Sequence, residues 1–299
     1  MPAEHIPIML DELIRDARPR AGDVVVDCTL GGGGHALALL ERISPGGRLI
    51  GLDADPIALP RTAARIHDAG FGPPIFAARQ LNFARLPELL RLERLDGADI
   101  VVADLGISAM QADDAGRGFN YKGVGPLDMR MNPGAGEPAS TLIANASEAE
   151  LAQMLDEFAD EPYAGIIAGL LKQPGLTTTH AAERAIRTGL ARARPQLTKA
   201  QIKASVRRSF QALRIAVNDE LAALDALLDA LPGGLRAGGR AVFITFHSGE
   251  DRRVKKAFQA GKRAGVYAQI AGAVVQASKR ETRANRRAAP AKLRWAVRG

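Results

Sequence analysis

Short apolar runs alternate with helix-length stretches over the first hundred residues, and this alternation limits the choice of fold more than any other feature. Residues 24–27 and 48–53 predict two strands, with a helix over residues 35–43 between them, which together form a βαβ unit. Further strands are predicted at residues 75–78 and 98–106. Near-continuous apolar strands separated by helices are typical of a parallel sheet that is covered on both faces. We therefore predict an α/β fold with a mainly parallel sheet.

The alternation stops after the fourth predicted strand. Residues 107–141 are rich in Gly, Asp, Asn and Pro without a sustained period, and residues 147–206 carry apolar positions at helical spacing. A loop of that length inside a compact domain is usually functional. The strand pattern returns near residue 240. The sequence thus predicts a discontinuous sheet domain, residues 1–108 and 210–299, and between its parts a substrate loop with an inserted all-helical domain, residues 109–209.

The composition indicates a cytoplasmic protein. No run approaches the roughly 20 apolar residues that cross a bilayer. The N-terminus, with Glu4, Asp11 and Glu12, lacks the basic-then-apolar pattern of a signal peptide. The single cysteine, Cys28, excludes an intramolecular disulfide and a multi-cysteine zinc site. We expect a protein of the cytoplasm that has no membrane association.

The net charge of +7 is unevenly distributed along the chain. Residues 252–299 contain 14 Lys or Arg and one acid, Glu281, so they carry +13 and the other 251 residues carry −6. A basic segment on a mildly acidic body suits a protein that binds a polyanion, because each neutralised phosphate releases counterions. We expect Arg283, Arg286 and Arg287 to contact nucleic-acid phosphates, although charge alone leaves open a solvated basic tail.

A glycine-rich turn follows the first predicted strand. It reads Asp-Cys-Thr-Leu-Gly-Gly-Gly-Gly-His over residues 27–35, and glycines before a helix let the backbone approach a ligand and donate to it. Asp53 ends the next strand, 19 residues after Gly34, where a carboxylate can accept hydrogen bonds from ribose hydroxyls. The spacing does not separate a nicotinamide dinucleotide from S-adenosylmethionine, and a purely structural turn stays open.

A second acid, Asp104, ends the fourth predicted strand, directly before the irregular loop. Ligands of open α/β sheets lie beyond the carboxyl ends of the strands, so Asp104 should face the same crevice as the glycine turn. The loop contains aromatics and arginines beside glycines, which suits stacking a base and holding phosphates. The candidates for these contacts are Arg117, Phe119, Tyr121 and Arg130. The alternative is a well-packed surface loop.

A third cluster, Phe-His-Ser-Gly-Glu-Asp at residues 246–251, also lies at a strand end and leads into a helix. Ser248 can cap that helix, with Glu250 and Asp251 in its first turn, and this is a complete structural account. His247 is therefore left open between an orienting residue near the substrate and a structural one. The histidines show no zinc-ligand spacing, so we predict no metal site.

Together these motifs resemble the ribosomal RNA small-subunit methyltransferase H family, whose members transfer a methyl group from S-adenosylmethionine to the exocyclic amino nitrogen of a cytosine. The resemblance covers nearly the whole chain. Its segments keep one order: residues 5–10, 29–35, 53–56, 104–111, 117–119, 125–131, 210–215, 217–221, 246–248 and 291–294. It implies a Rossmann-like class I methyltransferase fold, a target in small-subunit (16S) ribosomal RNA, and the 30S particle as partner.

The resemblance also implies roles for individual residues. It assigns the family's cofactor-binding positions to Gly33, Gly34, His35, Asp53, Phe83, Asp104 and Gln111. Methyl transfer from a sulfonium is an in-line displacement that needs no metal, so alignment is the protein's main task. By analogy with other amino-methyltransferases, Asp104 and the carbonyls after it are the candidate proton acceptors, and Ser108 is a further catalytic candidate. Phe119 and Tyr121 are candidates to hold an unstacked base.

Several positions depart from the family pattern, mostly on the substrate side. Gly32 stands where an arginine is frequent, Ala109 and Met110 replace Ser-Pro, and Gly249 replaces a leucine. Two other interpretations stay open: a methyltransferase of a small molecule, and a nucleic-acid-binding protein that keeps the fold without catalysis. The sequence is compatible with a monomer and with a homodimer.

Overall fold

The computed structural model describes residues 7–299, so His5 and Ile6 of the first matching segment lie outside the described residues. The chain forms two compact units. The sheet unit contains the described residues up to Ile107 together with Leu221–Gly299, and the helical unit is Ser108–Glu220. The predicted boundary between residues 209 and 210 falls inside the continuous helix Lys199–Asn218, so the helical unit extends beyond that boundary.

Within the described residues, eight strands form one sheet. In chain order they are β1 (Val24–Asp27), β2 (Arg48–Asp53), β3 (Phe76–Gln80), β4 (Ala98–Asp104), β5 (Leu235–Thr245), β6 (Tyr267–Ile270), β7 (Val275–Gln276) and β8 (Lys292–Arg298). Their order across the sheet is β3-β2-β1-β4-β5-β8-β6, with β7 paired to β8. Strands β1 to β5 run parallel, and β8 is antiparallel to β5, β6 and β7. The predicted α/β fold with a mainly parallel sheet is confirmed.

The winding of the chain reverses at β1, which lies between β2 and β4. The carboxyl ends of parallel strands meet at one edge of a sheet, and ligands bind at such a reversal point. The ends of β1, β2 and β4 therefore bring Asp27, Asp53 and Asp104 to the same edge of the sheet unit.

Helices occupy most of the remaining described chain. In order they are α1 (Leu10–Ala17), α2 (Gly34–Ile43), α3 (Ala58–Asp68), α4 (Leu86–Glu93), α5 (Ala109–Asp113), α6 (Ala139–Asn145), α7 (Glu148–Ala159), α8 (Ala164–Leu171), α9 (Thr179–Ala193), α10 (Lys199–Asn218), α11 (Glu220–Gly234), α12 (Ser248–Arg263) and α13 (Lys279–Ala284). Among residues 7–299, no helix has both the length and the apolar character needed to cross a membrane.

Two apolar layers cover the sheet, one on each face. Helices α1, α2 and α3 pack on one face, and α4, α11 and α12 pack on the other. Because strand side chains alternate between faces, Val25 joins the first layer and its neighbour Val26 the second, and both are fully buried. Each such aliphatic side chain contributes about 1.5–3 kcal/mol when it leaves water. The two layers hold the strand ends, and hence the acidic edge, in place.

The helical unit contains a four-helix arrangement. Helix α7 packs on α8 and α10, and α9 packs on the same two helices, so α7 and α9 occupy opposite corners. Ser147 and Thr198 begin α7 and α10 with capping boxes, in which the residue three positions later bonds back to the cap. These caps satisfy amides that the helices would otherwise leave unpaired.

The irregular segment that starts at residue 108 is held within the helical unit by specific hydrogen bonds. Thr179 N donates to Gly125 O (3.0 Å), and Met131 N donates to Asn218 Oδ1 (2.7 Å). A Cβ at Gly125 would lie 1.9 Å from Ala115 O. Only glycine therefore fits where these two segments of the loop cross. The segment is therefore a packed part of the unit.

Candidate active site

The glycine turn after β1 adopts a backbone that favours glycine at two positions. Gly31 has φ +48° and Gly33 has φ +75°, a region that L side chains rarely adopt. A Cβ at Gly33 would also lie 2.8 Å from Thr62 Cγ2. Gly33 N donates to Leu30 O (2.7 Å), which closes the turn directly before α2. The turn thus exposes backbone at the edge where β1 and β2 end.

Asp53, at the end of β2, lies against this turn. Its Oδ2 accepts a hydrogen bond from Gly31 N (2.9 Å), and its Oδ1 accepts one from Asp55 N (2.8 Å). These bonds fix the orientation of the carboxylate, and a carboxylate can accept about four hydrogen bonds in all. The structure therefore brings together Asp53 and the glycine turn, whose spacing suggested a ribose site.

Asp104, at the end of β4, carries an oxygen that the described protein atoms do not satisfy. Its backbone N–H donates to Thr29 Oγ1 (2.6 Å), which ties the end of β4 to the turn after β1. Its Oδ1 is buried without a hydrogen-bond partner among residues 7–299, although the side chain as a whole is 28% exposed. Burial and the nearby Glu250 carboxylate raise the pKa of Asp104 to about 7. An unsatisfied buried acceptor is uncommon and suits a ligand donor.

A third carboxylate, Asp27, completes the acidic edge of the sheet unit. It ends β1, is 2% exposed, and accepts a hydrogen bond from Thr29 N (3.0 Å). Burial raises the pKa of Asp27 to about 6, and the charges of Asp104 and Asp53 add to that rise. Three ionised carboxylates repel one another, and a bound cation would relieve the repulsion. Asp27 was not among the predicted site residues, although an acid directly before the glycine turn was a signal.

His35 lies in the first turn of α2, beside Asp104. Its Nδ1 is 3.7 Å from Asp104 Oδ2, and its Nε2 is 3.0 Å from Ile8 O. A carbonyl oxygen only accepts, so Nε2 carries the proton of the neutral ring. Burial lowers the pKa of His35. The imidazole therefore stays neutral at pH 7 and adds no positive charge to the acidic edge.

Residues 7–9 lie beside the glycine turn, and a distant acid holds them there. A Cβ at Gly34 would lie 2.4 Å from Pro7 Cγ, so the absence of a side chain at Gly34 lets this segment pack closely. Met9 N donates to Glu281 Oε1 (2.7 Å), across 272 positions of sequence. Glu281 is the one acid of the basic segment 252–299. From the sequence, Glu281 is recognisable only as a charge, because its partner Met9 is so remote along the chain.

His247, rather than Ser248, caps α12. Its Nδ1 accepts a hydrogen bond from Glu250 N (3.4 Å), and Glu250 Oε2 accepts one from Phe246 N (2.7 Å). The predicted cap at Ser248 is therefore wrong by one position, because the helix already begins at Ser248. His247 Nε2 lies 3.1 Å from Glu250 Oε1. His247 thus has a structural role, and its contact with substrate stays a prediction.

Ser108 and Gln111 form the capping box of α5 in the helical unit. Ser108 Oγ accepts a hydrogen bond from Gln111 N (3.2 Å), and Gln111 Oε1 accepts one from Ser108 N (2.9 Å). Both side chains stabilise the first helical turn that follows β4 along the chain. The catalytic role of Ser108 and the cofactor role of Gln111 stay predictions.

Arg117 and Phe119 support the loop from inside the helical unit. Arg117 is 8% exposed and Phe119 is 9% exposed. The Arg117 guanidinium donates to Met131 O (2.8 Å) and lies 5.8 Å from the centre of the Phe119 ring. In this arrangement neither side chain offers a face on which a base could stack, so their predicted substrate contacts would need the loop to move.

Arg130 and Tyr121, the other two loop candidates, keep partial exposure. Arg130 forms an ion pair with Asp128 (2.8 Å). The Tyr121 ring packs on Phe210 with 5.0 Å between ring centres. Of the two predicted aromatic contacts, Tyr121 is thus the one that the helical unit leaves accessible.

The remaining candidates of the sheet unit differ in burial. Phe83 begins a short 3₁₀ turn after β3 and packs, partly buried, against the apolar layer that contains α4. Arg283, on α13, and Arg286 and Arg287, in the turn that follows, are all exposed. The structure leaves Phe83 as a candidate cofactor contact and the three arginines as candidate phosphate contacts.

The comparison with known families identifies the chain. A sequence model of the MraW methylase family matches residues 2–298. The chain belongs to the MraW methylase family. Ribosomal RNA small subunit methyltransferase H 1 of Agathobacter rectalis is 41% identical over 299 residues, which cover 98% of this chain and 85% of that protein. Ribosomal RNA small subunit methyltransferase H of Myxococcus xanthus is 42% identical over 307 residues, which cover 97% and 96%.

Members of the MraW methylase family are S-adenosylmethionine-dependent methyltransferases, so S-adenosylmethionine is the cofactor. The sheet unit fits this group on two observations. Its edge carries three carboxylates whose mutual repulsion a sulfonium cation would relieve. One of them, Asp104, also has a buried oxygen without a protein donor among the described residues.

Proposed function

We propose that this protein methylates the exocyclic amino nitrogen of a cytosine in small-subunit (16S) ribosomal RNA. Membership of the MraW methylase family and the names of relatives about 40% identical over nearly the whole chain support this target. The single structural observation that carries the chemistry is the buried, unsatisfied oxygen of Asp104 at the edge beside the glycine turn.

The cofactor would lie along the glycine turn with its ribose on Asp53. The proposed contacts are Gly33, Gly34, His35, Asp53, Phe83, Asp104 and Gln111. When bound, S-adenosylmethionine supplies an electrophilic methyl group on a sulfonium. The family resemblance and the hydrogen bonds that orient Asp53 against Gly31 support this assignment.

Asp104 would accept a hydrogen bond from the cytosine amino group and then its proton. A cytosine amino lone pair is delocalised into the ring, so an acceptor for an N–H helps to localise it on nitrogen. The bound cofactor would supply the methyl group to the amino nitrogen, and an Asp104 oxygen would take up the proton that this nitrogen loses. A pKa of about 7 suits a base that acts near neutral pH.

We infer the remaining properties from the same assignment. The reaction needs no metal, because alignment and an internal base suffice. The substrate is the small-subunit RNA, free or within the 30S particle, and the enzyme works in the cytoplasm where that particle is assembled. A monomer and a homodimer are both compatible with one complete site per chain.

The test is methyl transfer from labelled cofactor to naked 16S RNA, isolated small subunits and whole ribosomes, with the product base identified by mass spectrometry. We expect label on a cytosine amino nitrogen in one of the three substrates. Label on another base or on a small molecule only, or cofactor binding without any transfer to RNA, would overturn the proposal.

A further inference from the structure

The helical unit has a strong division of charge that the net charge of the chain conceals. Residues 137–161 contain seven acids and no Lys or Arg. Residues 163–218 contain ten Lys or Arg and one acid, Glu183, and so carry +9. The chain therefore has two basic segments, 163–218 and 252–299. The rest of the chain is more acidic than it would be if segment 252–299 alone were basic.

The packing of the unit separates the acids of α7 from the cations of α9, whereas α10 packs on both of these helices. Helix α7 carries most of these acids and lies at the corner opposite α9, because both pack on α8 and α10. Apart from Arg187, which is paired with Glu183, six of the cations on α9, α10 and their connection are exposed: Arg184, Arg192, Arg194, Lys199, Lys203 and Arg207. We call these six residues the basic ridge.

The cations of the basic ridge are arranged regularly. Lys199, Lys203 and Arg207 follow one another at intervals of four residues on α10, and residues four apart lie on the same face of a helix. The stripe they form is about 12 Å long at 1.5 Å per residue. Arg184 and Arg192 are eight residues apart on α9, which packs beside α10.

No ion pair within the described protein accounts for the presence of these cations. Within the described chain, no carboxylate lies within salt-bridge distance of any ridge residue, whereas three nearby arginines are paired: Arg187 with Glu183 (2.9 Å), Arg208 with Glu161 (2.7 Å) and Arg214 with Glu220 (2.7 Å). Six unpaired exposed cations repel one another, which costs stability unless a polyanion binds.

The ridge ends beside the accessible aromatic of the loop. Tyr121 packs on Phe210, three residues beyond Arg207 on α10. Arg207 is close enough that its charge opposes the rise that burial causes in the pKa of Tyr121. Cations that lead to an aromatic side chain are typical of surfaces that track a nucleic-acid backbone and stack a base.

We propose that the basic ridge binds the phosphate backbone of the RNA substrate, separately from the C-terminal basic segment. This inference rests on the proposed function, since it takes the substrate to be RNA. Exposed apolar side chains, which a membrane surface or the core of a protein interface requires, are absent from the ridge: the large ones exposed in the described helical unit, Met110 and Val124, lie outside α9 and α10.

The test compares two variants that lose the same three positive charges. The ridge variant is Lys199→Gln, Lys203→Gln and Arg207→Gln together. The control variant is Arg20→Gln, Arg61→Gln and Arg91→Gln, whose parent residues are exposed in the sheet unit. Affinity for a fragment of 16S RNA is measured by filter binding between 50 and 200 mM salt.

We expect the ridge variant to bind RNA more weakly and with a salt slope lower by about two to three units. Between 50 and 200 mM salt, each phosphate contact makes the affinity for RNA fall by about threefold, and each lost contact should remove one such factor from the total fall. The control variant should keep the parent's slope. An unchanged slope in the ridge variant, or an equal loss in both variants, would overturn the inference, because the ridge would then be a solvated face or would act only through net charge.

Two further measurements separate this inference from the proposed function. Calorimetric affinity for S-adenosylmethionine should be the same in parent and ridge variant, which also shows that the variant is folded. The single-turnover rate at saturating RNA should be unchanged, whereas the RNA concentration for half-maximal rate should rise about tenfold or more. If the parent methylates RNA and the ridge variant does so with the parent's RNA dependence, the inference fails and the proposed function stands.

Discussion

Asp104 is the candidate residue whose surroundings most favour a role in catalysis. Its substitution by asparagine keeps the shape and one acceptor but removes the charge and the base. We expect Asp104→Asn to remain folded and to lower the rate of methyl transfer by about a hundredfold or more, the usual effect of losing such an electrostatic contact. The measurement is single-turnover transfer at saturating cofactor and RNA, which removes contributions from binding.

Unfolding temperature is the control for this variant. Asp104 N donates to Thr29 through its backbone, so the substitution leaves that tie intact. Transfer at the parent's rate would mean that Asp104 serves only the cofactor or the fold. The proton acceptor would then be a backbone carbonyl after Asp104, or Ser108.

The pKa values of the acidic edge predict how the rate depends on pH. Burial raises the pKa of Asp104 to about 7 and that of Asp27 to about 6, both above the usual carboxyl range. A base must be ionised, so the single-turnover rate should rise as pH increases through 6 to 7. Asp104→Asn should lose this rise, and a rise that persists in the variant would contradict the assignment.

The same raised pKa values have the opposite effect on stability. The protonated carboxyls are favoured in the folded state, so their contribution to stability is complete below about pH 4 and is lost as pH rises through 6 to 7. A bound sulfonium cation would reverse this loss by stabilising the ionised forms.

Asp53 offers a test of cofactor binding alone. Asp53→Ala removes a charged acceptor, and the loss of hydrogen bonds to such a group typically costs about 1.5–3 kcal/mol. We expect calorimetry to show S-adenosylmethionine affinity reduced by roughly tenfold to 150-fold at that cost. Asp68→Ala, at the exposed end of α3, is the matched control. Unchanged affinity in a folded Asp53→Ala variant would refute the ribose assignment.

At the scale of elements, α13 and the turn after it carry four of the six exposed arginines of the C-terminal segment 252–299. Changing Arg283, Arg286 and Arg287 together to glutamine should weaken RNA binding and lower its salt slope by up to about three units. Cofactor affinity should not change. The variant at Arg20, Arg61 and Arg91 again controls for net charge, and a slope equal to the parent's would mean that this segment is a solvated tail.

The elements that sequence predicted well are those whose pattern is local. β1 and β2 are continuous apolar runs bounded by turn residues, and their predicted ends agree with the structure. β6 and β7 were not predicted, because Tyr267–Ile270 and Val275–Gln276 are too short to show an apolar pattern. The domain boundary near residue 209 was misplaced because α10 continues through it with a uniform helical pattern.

The residues of the candidate site also divide into those that local sequence patterns predict and those that they do not. The glycine turn, Asp53 and Asp104 follow from strand ends that sequence can locate, since parallel strands share an edge. The roles of His247 as a cap and of Glu281 as the partner of Met9 depend on side-chain geometry and on contacts between remote residues. Composition also could not show that Phe119 faces inward, because an aromatic beside glycines suits a core as well as a stacking surface.

At the scale of the whole molecule, two basic segments stand on an acidic body. Residues 163–218 carry +9 and residues 252–299 carry +13, so the remaining 195 residues carry −15. The two segments belong to different compact units. A body of that charge repels RNA, so binding depends on where the cations are rather than on the net charge of +7.

This distribution predicts that the two basic segments contribute independently to RNA binding. A variant that neutralises Lys199, Lys203 and Arg207 together with Arg283, Arg286 and Arg287 should lose the sum of the salt slopes lost by the two triple variants, up to about five to six units. Each phosphate that the protein no longer contacts recovers its own counterions, whichever unit had bound it. The contributions of sites that share no partner add to one another. The measurement is the same filter-binding titration on one RNA fragment. A combined loss no greater than that of the larger triple variant would show that both segments compete for the same phosphates.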